Sequence, residues 1–171
     1  MDVTVTDVKA VEVLDSRARP TLAVTMTLDH ATTARAGVPS GASTGSREAI
    51  ERRDGDPRGF AGQGTLGAVG SVNGEIADAL CGRTFADLAE VNNALIDLDG
   101  TETKSRLGAN AIVGVSMATA RAMATAAKSP SFHECTRYRH GDDDRSPSRD
   151  CRHGAVRSPR IERRRWRTTF S

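Results

Sequence analysis

The stretch PTLAVTMTLDH, residues 20–30, decides the fold class of this chain. It alternates the apolar side chains of Leu22, Val24, Met26 and Leu28 with smaller Thr and Ala side chains. Because successive side chains of a strand point to opposite faces, a period of two predicts a half-buried β-strand. One face of this strand is therefore expected to cover a hydrophobic core.

Two further β-like segments flank this strand. The segment VTVTDVKAVEVLDS, residues 3–16, is rich in Val and Thr, and TTARAGVP, residues 32–39, is shorter. β-branched residues are enriched in strands, and only short turns separate the three segments. The sequence therefore predicts a three-stranded antiparallel meander.

Beyond residue 64 the apolar spacing becomes helical. A first helix is expected to end at Gly82, and Thr84 is the predicted N-cap of a second. The apolar positions of the two helices are Leu66, Val69, Ile76, Ala77 and Leu80, followed by Phe85, Leu88, Val91, Leu95 and Leu98.

A third helix is predicted for ANAIVGVSMATARAMATAAK, residues 109–128, whose small residues allow neighbouring elements to approach closely. Met117 and Met123 are expected to serve in helix packing. Strands followed by a bundle of helices give an α+β domain.

The composition changes abruptly after Lys128. Residues 1–128 contain 13 Lys and Arg against 16 Asp and Glu, whereas residues 129–171 contain 11 against 6. All 11 basic residues of that tail are Arg, and it contains no Leu. We therefore predict a domain over 1–128 and a disordered Arg-rich tail over 129–171, which cannot bury enough apolar surface to fold.

The bulk properties favour a soluble cytoplasmic protein. Its 3 cysteines are too few and too irregularly spaced for a disulfide scaffold. We find no basic and apolar leader and no apolar run long enough to cross a membrane, so no membrane partner is expected.

Between the strands and the helices lies VPSGASTGSREA, residues 38–49, a loop of small and hydroxyl side chains. Together with three other collinear stretches it resembles the N-terminal domain of the enolase family. The stretches that carry the resemblance are VEVLDSRARPTL (11–22), RAGVPSGASTGSREAIERRDGD (35–56), GAVGSVNGEIADAL (67–80) and LIDLDGTETKSRLGANAIVGVSMATARA (95–122).

The resemblance implies a glycolytic lyase, phosphopyruvate hydratase, which interconverts 2-phosphoglycerate and phosphoenolpyruvate with Mg²⁺. The loop would be the lid over the active site, with Ser43 as a Mg²⁺ ligand through its hydroxyl and carbonyl oxygens. Gly41 and Ala42 would bring backbone close to the substrate. The lid residues implied are Ser40, Gly41, Ala42, Ser43, Thr44 and Gly45.

Two places in the sequence depart from the family pattern. Ala18 and Arg19 stand where the family has Gly-Asn, so the turn between the first two strands is expected to be weaker, because Ala tolerates positive φ poorly. Ser46 and Arg47 occupy the place where the family lid usually has a His. Arg17 is expected to be solvated.

The family's base, acid and carboxylate metal ligands come from a large C-terminal barrel, which takes roughly 250 residues. Only 43 residues follow Lys128, and they do not match the barrel's opening. We therefore expect no catalytic residue among these 171 residues and no activity from them alone. A frameshift or mis-splicing from about residue 131 would explain the tail, with a natural short isoform as the alternative.

Two other functions compete with the lyase. A non-catalytic fragment could bind an enolase subunit through surfaces that would otherwise pack on the barrel. The segment RIERRRWR, residues 160–167, resembles a single-strand nucleic-acid contact, although a random GC-rich frame would give the same pattern and nucleic acid is not the favoured partner.

Two clusters imitate metal sites. Asp97, Asp99 and Glu102 lack calcium-loop spacing and are interpreted as turn residues. A scaffold that would fix ligands is not evident around the second cluster, which comprises His133, Glu134, Cys135 and His140.

Overall fold

Three antiparallel strands form the meander that the alternating segments predict. The computed structural model describes residues 2–40 and 48–129. Strand β1 spans Val3–Leu14, β2 spans Pro20–Leu28 and β3 spans Thr32–Gly37, and each pairs with the next. The apolar side chains that alternate in β2 are all buried, which confirms the α+β class and the inward face of this strand.

Strand β1 carries a bulge that its sequence only partly reveals. The pairing with β2 shifts between Val5 and Asp7, and the Thr6 hydroxyl donates to the Thr27 carbonyl at 3.1 Å. The extra residue changes which positions face the core. Val5 and Val8 are therefore both buried although they are three positions apart, an odd spacing that in a regular strand places side chains on opposite faces.

A fourth strand, β4 (Thr84–Phe85), extends the sheet in the order β3-β2-β1-β4. The prediction that Thr84 caps a helix was wrong, because this residue pairs with Thr4 of β1 and their hydroxyls lie 3.0 Å apart. Phe85 is buried in the core. Two residues are too short a strand to show a period in the sequence.

The helical segment after residue 64 is interrupted in its middle. It comprises α1 (Leu66–Ser71), a π-helical turn (Val72–Ile76) and α2 (Ala77–Leu80), after a short 3₁₀ turn at Phe60–Gly62. The wider turn changes which positions face the core. The buried residues of this segment are Ala68, Ser71, Val72, Ile76 and Leu80, and Leu66, at the start of α1, is 63% exposed.

Asn73 lies in this π-helical turn and contacts the free edge of β1. Its Oδ1 accepts the Ala10 N–H at 2.7 Å, and its Nδ2 donates to the Ala10 carbonyl at 3.0 Å. One side chain thus satisfies both backbone groups of a strand residue, as a neighbouring strand would.

Helix α3 spans Leu88–Asp99, and Asp87 is its N-cap. The Asp87 carboxylate accepts the Glu90 N–H at 2.9 Å, and the Glu90 carboxylate accepts the Ala86 N–H at 2.8 Å. This reciprocal capping satisfies two N–H groups that the first turn leaves unpaired. The helix ends at Gly100, whose φ of 68° is left-handed.

Helix α4 spans Ala109–Ala126 and packs across β2 and β3. Gly114 gives the closest approach: a Cβ built there would lie 2.7 Å from Val24 Cγ2 and 2.9 Å from Val38 Cγ2. The predicted role of small residues in this helix is thereby confirmed. Arg121 donates to the Arg35 carbonyl at 2.8 Å and so contacts the outer strand, β3.

The two methionines of α4 pack as predicted, since Met123 is buried and Met117 packs against the core from a partly buried position. In the described part of the chain, no helix is both long and apolar enough to cross a membrane. Residues 130–171 lie outside that part, so the disorder of the tail stays a prediction, as do the interpretations of its metal-like and basic clusters.

Candidate functional site

Ser40 is the only member of the predicted 40–45 loop that the structure describes. It follows β3 and is half-buried, and its Oγ is enclosed without a hydrogen-bond partner in the described part of the chain. An enclosed hydroxyl without a partner loses its hydration, at a cost of about 1–3 kcal/mol. Gly41, Ala42, Ser43, Thr44 and Gly45 lie outside the described residues, so the role of Ser43 stays a prediction.

The chain enters the loop from a fixed position at Val38. Its N–H donates to the Leu22 carbonyl at 2.9 Å, and its carbonyl accepts the Thr21 hydroxyl at 2.7 Å. The Val38 side chain is 6% exposed and lies against Gly114 of α4. We call Val38–Ser40 the N-terminal stem; β2 and α4 hold it in place.

The chain leaves the loop through a second anchored segment, residues 50–53, which we call the C-terminal stem. The Ile50 N–H donates to the Thr103 carbonyl at 2.8 Å, and the Ile50 carbonyl accepts the Ala109 N–H at 2.8 Å. Two residues later, Asn110 Oδ1 accepts the Arg52 N–H and Asn110 Nδ2 donates to the Arg52 carbonyl, both at 3.1 Å. The first turn of α4 therefore fixes this stem.

Gly108 permits this close contact. A Cβ built on it would lie 2.6 Å from Arg52 Cβ and 2.7 Å from Asn110 Oδ1. Its φ of 101° is a backbone conformation that side chains disfavour. Both observations require glycine immediately before α4.

The two arginines of the C-terminal stem tie it to the rest of the domain. Arg52 donates to the Ser71 hydroxyl at 2.8 Å and to the Arg106 carbonyl at 3.0 Å. Arg53 pairs with Glu51 at 2.6 Å and donates to the carbonyls of Pro20 and Gln63, at 2.7 and 2.8 Å. The stem thus contacts α1, β2 and the loops on both sides.

The loop that precedes α4 is organised around Asp99, which is buried. Burial acts to raise the pKa of this carboxyl, but hydrogen bonds from Thr101 and from the Leu107 N–H outweigh it, so its pKa lies below the ordinary value. The Leu107 N–H donates at 2.8 Å and the Thr101 N–H at 3.0 Å. Asp97 and Asp99, interpreted as turn residues, thus lie in α3, and the Asp99 carboxylate organises the turn that follows the helix, in which Glu102 lies.

Arg106 closes the end of α3 from the same loop. It donates to the carbonyls of Leu98 and Asp99 and pairs with both carboxylate oxygens of Glu75, at 2.7 and 2.8 Å. The hydrogen bond to Arg106 lowers the pKa of Glu75 and raises the pKa of Arg106. The ion pair of Arg106 with Glu75 links the π-helical turn to the loop that precedes α4.

The β1–β2 turn shows the strain that its sequence predicts. Ala18 has a φ of 57°, in the left-handed region where Ala is disfavoured. The Asp15 carboxylate accepts the N–H groups of Arg19 and Arg17, at 2.9 and 2.8 Å, and these bonds lower its pKa. The Arg17 side chain is exposed, as expected for a solvated residue.

These residues build a support for a loop, and they do not form a magnesium site by themselves. Mg²⁺ takes six oxygen ligands in octahedral geometry, of which Ser43 could supply two. Within residues 2–40 and 48–129, no group of three His, Cys, Asp or Glu side chains is placed to hold a metal ion. We therefore derive no chemical step through a metal from these residues.

Sequence reasoning missed the support itself, namely Arg52, Gly108 and Asn110. A signal was present, because Asn110 is a polar residue in the first turn of a helix whose other residues in that turn are apolar. It lies four residues before Gly114, on the face that the helix buries. A polar side chain on a buried face needs a hydrogen-bond partner, which predicts a structural contact there.

Comparison with known proteins gives two findings. The family described as "Enolase, N-terminal domain" matches residues 5–134. An enolase of Desulfotalea psychrophila (strain LSv54 / DSM 12343) is 56% identical over 125 residues, which are 73% of this chain and 30% of that protein. The chain thus spans less than a third of the length of this curated relative.

Proposed function

Because the chain belongs to the family of enolase N-terminal domains, we propose that it supplies the lid of an enolase-type lyase. The reaction would be the Mg²⁺-dependent interconversion of 2-phosphoglycerate and phosphoenolpyruvate. The observation that carries the proposal is the anchoring of both stems of the 40–45 loop by helix α4, through Gly114 and Asn110. A loop that must approach a small anionic substrate needs fixed ends.

The proposed roles within the loop follow the chemistry of its residues. Ser43 would offer oxygen ligands to Mg²⁺, which prefers hard oxygen donors. Gly41 and Ala42 would allow the backbone close to the substrate, since neither carries a bulky side chain. When bound, the metal would stabilise the negative charge that develops when a proton is removed beside a carboxylate.

We further propose that these 171 residues are inactive alone. Proton transfer needs a general base and a general acid, and by the resemblance both lie in the barrel domain. The domain division proposed remains 1–128 for the folded unit and 129–171 for the tail. A glycolytic role would place the protein in the cytoplasm.

The test is complementation. The chain would be mixed with a separately produced enolase piece that lacks the segment equivalent to residues 5–134, and phosphoenolpyruvate formation would be followed by its ultraviolet absorbance. We expect no activity from either part alone and measurable activity from the mixture. The variant Ser43→Ala should abolish that activity, whereas Ser46→Ala, the same change three positions later, should not.

Each outcome decides one part of the proposal. Activity of the chain alone, prepared from a host whose own enolase has been removed, would show that the predicted inactivity is wrong. If the two parts bind each other but form no phosphoenolpyruvate, the lid role is wrong. Equal activity of the Ser43→Ala and Ser46→Ala variants would refute the metal role of Ser43.

A second candidate function is non-catalytic binding to an enolase subunit. It is favoured by large apolar side chains that the described part of the domain leaves exposed, among them Leu14 at 55%, Phe60 at 54% and Leu66 at 63%. An exposed apolar side chain gains free energy when a partner covers it. Retention of the chain on an immobilised intact enolase, without any effect in the complementation assay, would support this function instead.

A further inference from the structure

We propose that Asn110 is a positioning residue, which sets the C-terminal stem of the 40–45 loop by acting through the backbone of Arg52. The use of this stem in catalysis rests on the function proposed above. The contact itself is a property of the domain and can be tested without any activity.

The geometry singles out an amide side chain. Asn110 is 4% exposed, and its Oδ1 and Nδ2 both lie 3.1 Å from backbone atoms of one residue, Arg52. At neutral pH an amide offers a donor and an acceptor side by side in this way, whereas an ionised carboxylate offers only acceptors. Aspartate would still accept the Arg52 N–H, but its second oxygen would face the Arg52 carbonyl, and two acceptors repel each other.

The same helix face also holds the other stem. Asn110 and Gly114 are four residues apart, so they lie one above the other on α4. Val38 of the N-terminal stem packs at Gly114, where a Cβ would come within 2.9 Å of it. The separation of the two stems is therefore fixed by about one turn of a rigid helix, and Asn110 sets the C-terminal side of that separation.

The chain contains a matched control for this contact. Asn73 makes the same double hydrogen bond with the backbone of Ala10, at 2.7 and 3.0 Å, and no described contact joins it to either stem. Truncation of Asn73 removes the same chemical interaction from another part of the sheet. Because Asn73 is exposed and Asn110 is buried, the two variants are compared on the local protection of the Ala10 and Arg52 amides, and a loss confined to Arg52 is specific to the stem.

Hydrogen exchange of backbone amides tests the contact directly. We expect Asn110→Ala to lower the protection of the Arg52 amide by about threefold to tenfold, the range that one lost hydrogen bond gives, and to leave Ala10 unchanged. Asn73→Ala should do the reverse. Equal losses at both amides in both variants would indicate general destabilisation and would refute a positioning role, as would full protection of Arg52 in Asn110→Ala.

A second variant covers the case in which Asn110→Ala does not fold. In Asn110→Asp the acceptor for the Arg52 N–H is kept, and protonation of the carboxyl restores a donor for the Arg52 carbonyl. The protection factor at Arg52 should therefore be reduced at neutral pH and recover as the pH falls through the pKa of this carboxyl. The proposal would be refuted if the Arg52 amide of Asn110→Asp were protected as strongly as in the parent chain both at neutral pH and at low pH.

The catalytic consequence has its own measurement. In the complementation mixture, Asn110→Ala should lower kcat while Asn73→Ala of similar stability leaves it unchanged. If the mixture is inactive, the proposed function fails while the hydrogen exchange result still stands. If exchange confirms the contact and kcat is the same in both variants, the role of Asn110 in positioning the lid is wrong.

Discussion

Replacement of Gly114 by alanine should push helix α4 away from the sheet. The added Cβ would lie 2.7 Å from Val24 Cγ2 and 2.9 Å from Val38 Cγ2, both below the separations that packed carbon atoms tolerate. Both valines are β-branched and buried, so neither side chain can rotate away freely. The strain must be relieved by movement of the helix, of β2 or of the N-terminal stem.

Two opposing effects set the magnitude. Overpacking of a well-packed core by one methyl group costs about 1–3 kcal/mol. Alanine stabilises a helix by about 1 kcal/mol relative to glycine. The net effect on the free energy of unfolding should be a loss of up to about 2 kcal/mol.

Gly70 of α1 provides the control, since a Cβ there would meet nothing within 4 Å. Gly70→Ala should therefore show the helix gain alone, a stabilisation of about 1 kcal/mol. The difference between the two variants, about 1–3 kcal/mol, is the cost of the contact.

Urea unfolding followed by circular dichroism measures both variants on the same chain. The free energies of unfolding of Gly114→Ala and Gly70→Ala should shift in opposite directions, or at least differ clearly. A stabilisation by Gly114→Ala equal to that of Gly70→Ala would refute the close contact. Addition of Val38→Ala to Gly114→Ala should recover part of the lost stability, because the effects of substitutions at residues in contact are not additive.

Three further predictions concern the turns and the loop before α4. Ala18→Gly should stabilise the domain by about 1 kcal/mol, because it relieves a φ of 57°, whereas Ala31→Gly, whose φ is not positive, should destabilise it; thermal unfolding compares them. Asp99→Asn should destabilise the domain at neutral pH and progressively less as the pH falls below about 4, since a carboxyl whose pKa is lowered on folding contributes stability above its unfolded pKa. Asp97→Asn, at an exposed site of the same helix, should cost far less stability at neutral pH, and an equal loss from the two variants in urea unfolding would contradict this account. Gly108→Ala should destabilise the domain and lower protection of the Ile50 amide in hydrogen exchange, because its Cβ would lie 2.6 Å from Arg52 Cβ; unchanged protection would contradict the described contact.

Strand β2 of the meander and the long helix were predictable because each is regular along its whole length. Leu22, Val24, Met26 and Leu28 alternate through β2, and every one of them is buried. The third helix was expected over 109–128 and spans Ala109–Ala126, with Lys128 at a φ of 50° where it ends. Long, regular segments average out local exceptions, and this makes their type predictable.

The errors occurred where tertiary contacts override local preference. Thr84 is a good N-cap by type, yet pairing with Thr4 places it in a strand and leaves Asp87 as the cap. Leu66 fits a helical stripe, yet it is exposed at the first position of α1. The pairing of Thr84 leaves no periodic signal, since it depends on a residue distant in the sequence.

The candidate site likewise has a part that the sequence predicts and a part that it does not. Motif resemblance could single out the loop around Ser43, because the loop and the matching stretches downstream of it are specific when taken together. The polar Asn110 on a buried helix face indicates a contact there, but its partner Arg52 could not be predicted, because the two residues are 58 positions apart. The partner is visible only once the chain is folded.

The hydrogen bonds of Asn73 and Arg121 have a consequence for aggregation. A sheet edge with free N–H and C=O groups is a template on which another chain can add a strand. Asn73 occupies both backbone groups of Ala10 on the edge of β1, and Arg121 occupies the Arg35 carbonyl on the edge of β3. Ala10, on the part of β1 that β4 does not cover, and Arg35 on β3 thus each meet a side chain where a foreign strand would have to pair, which disfavours edge-to-edge addition at these two positions.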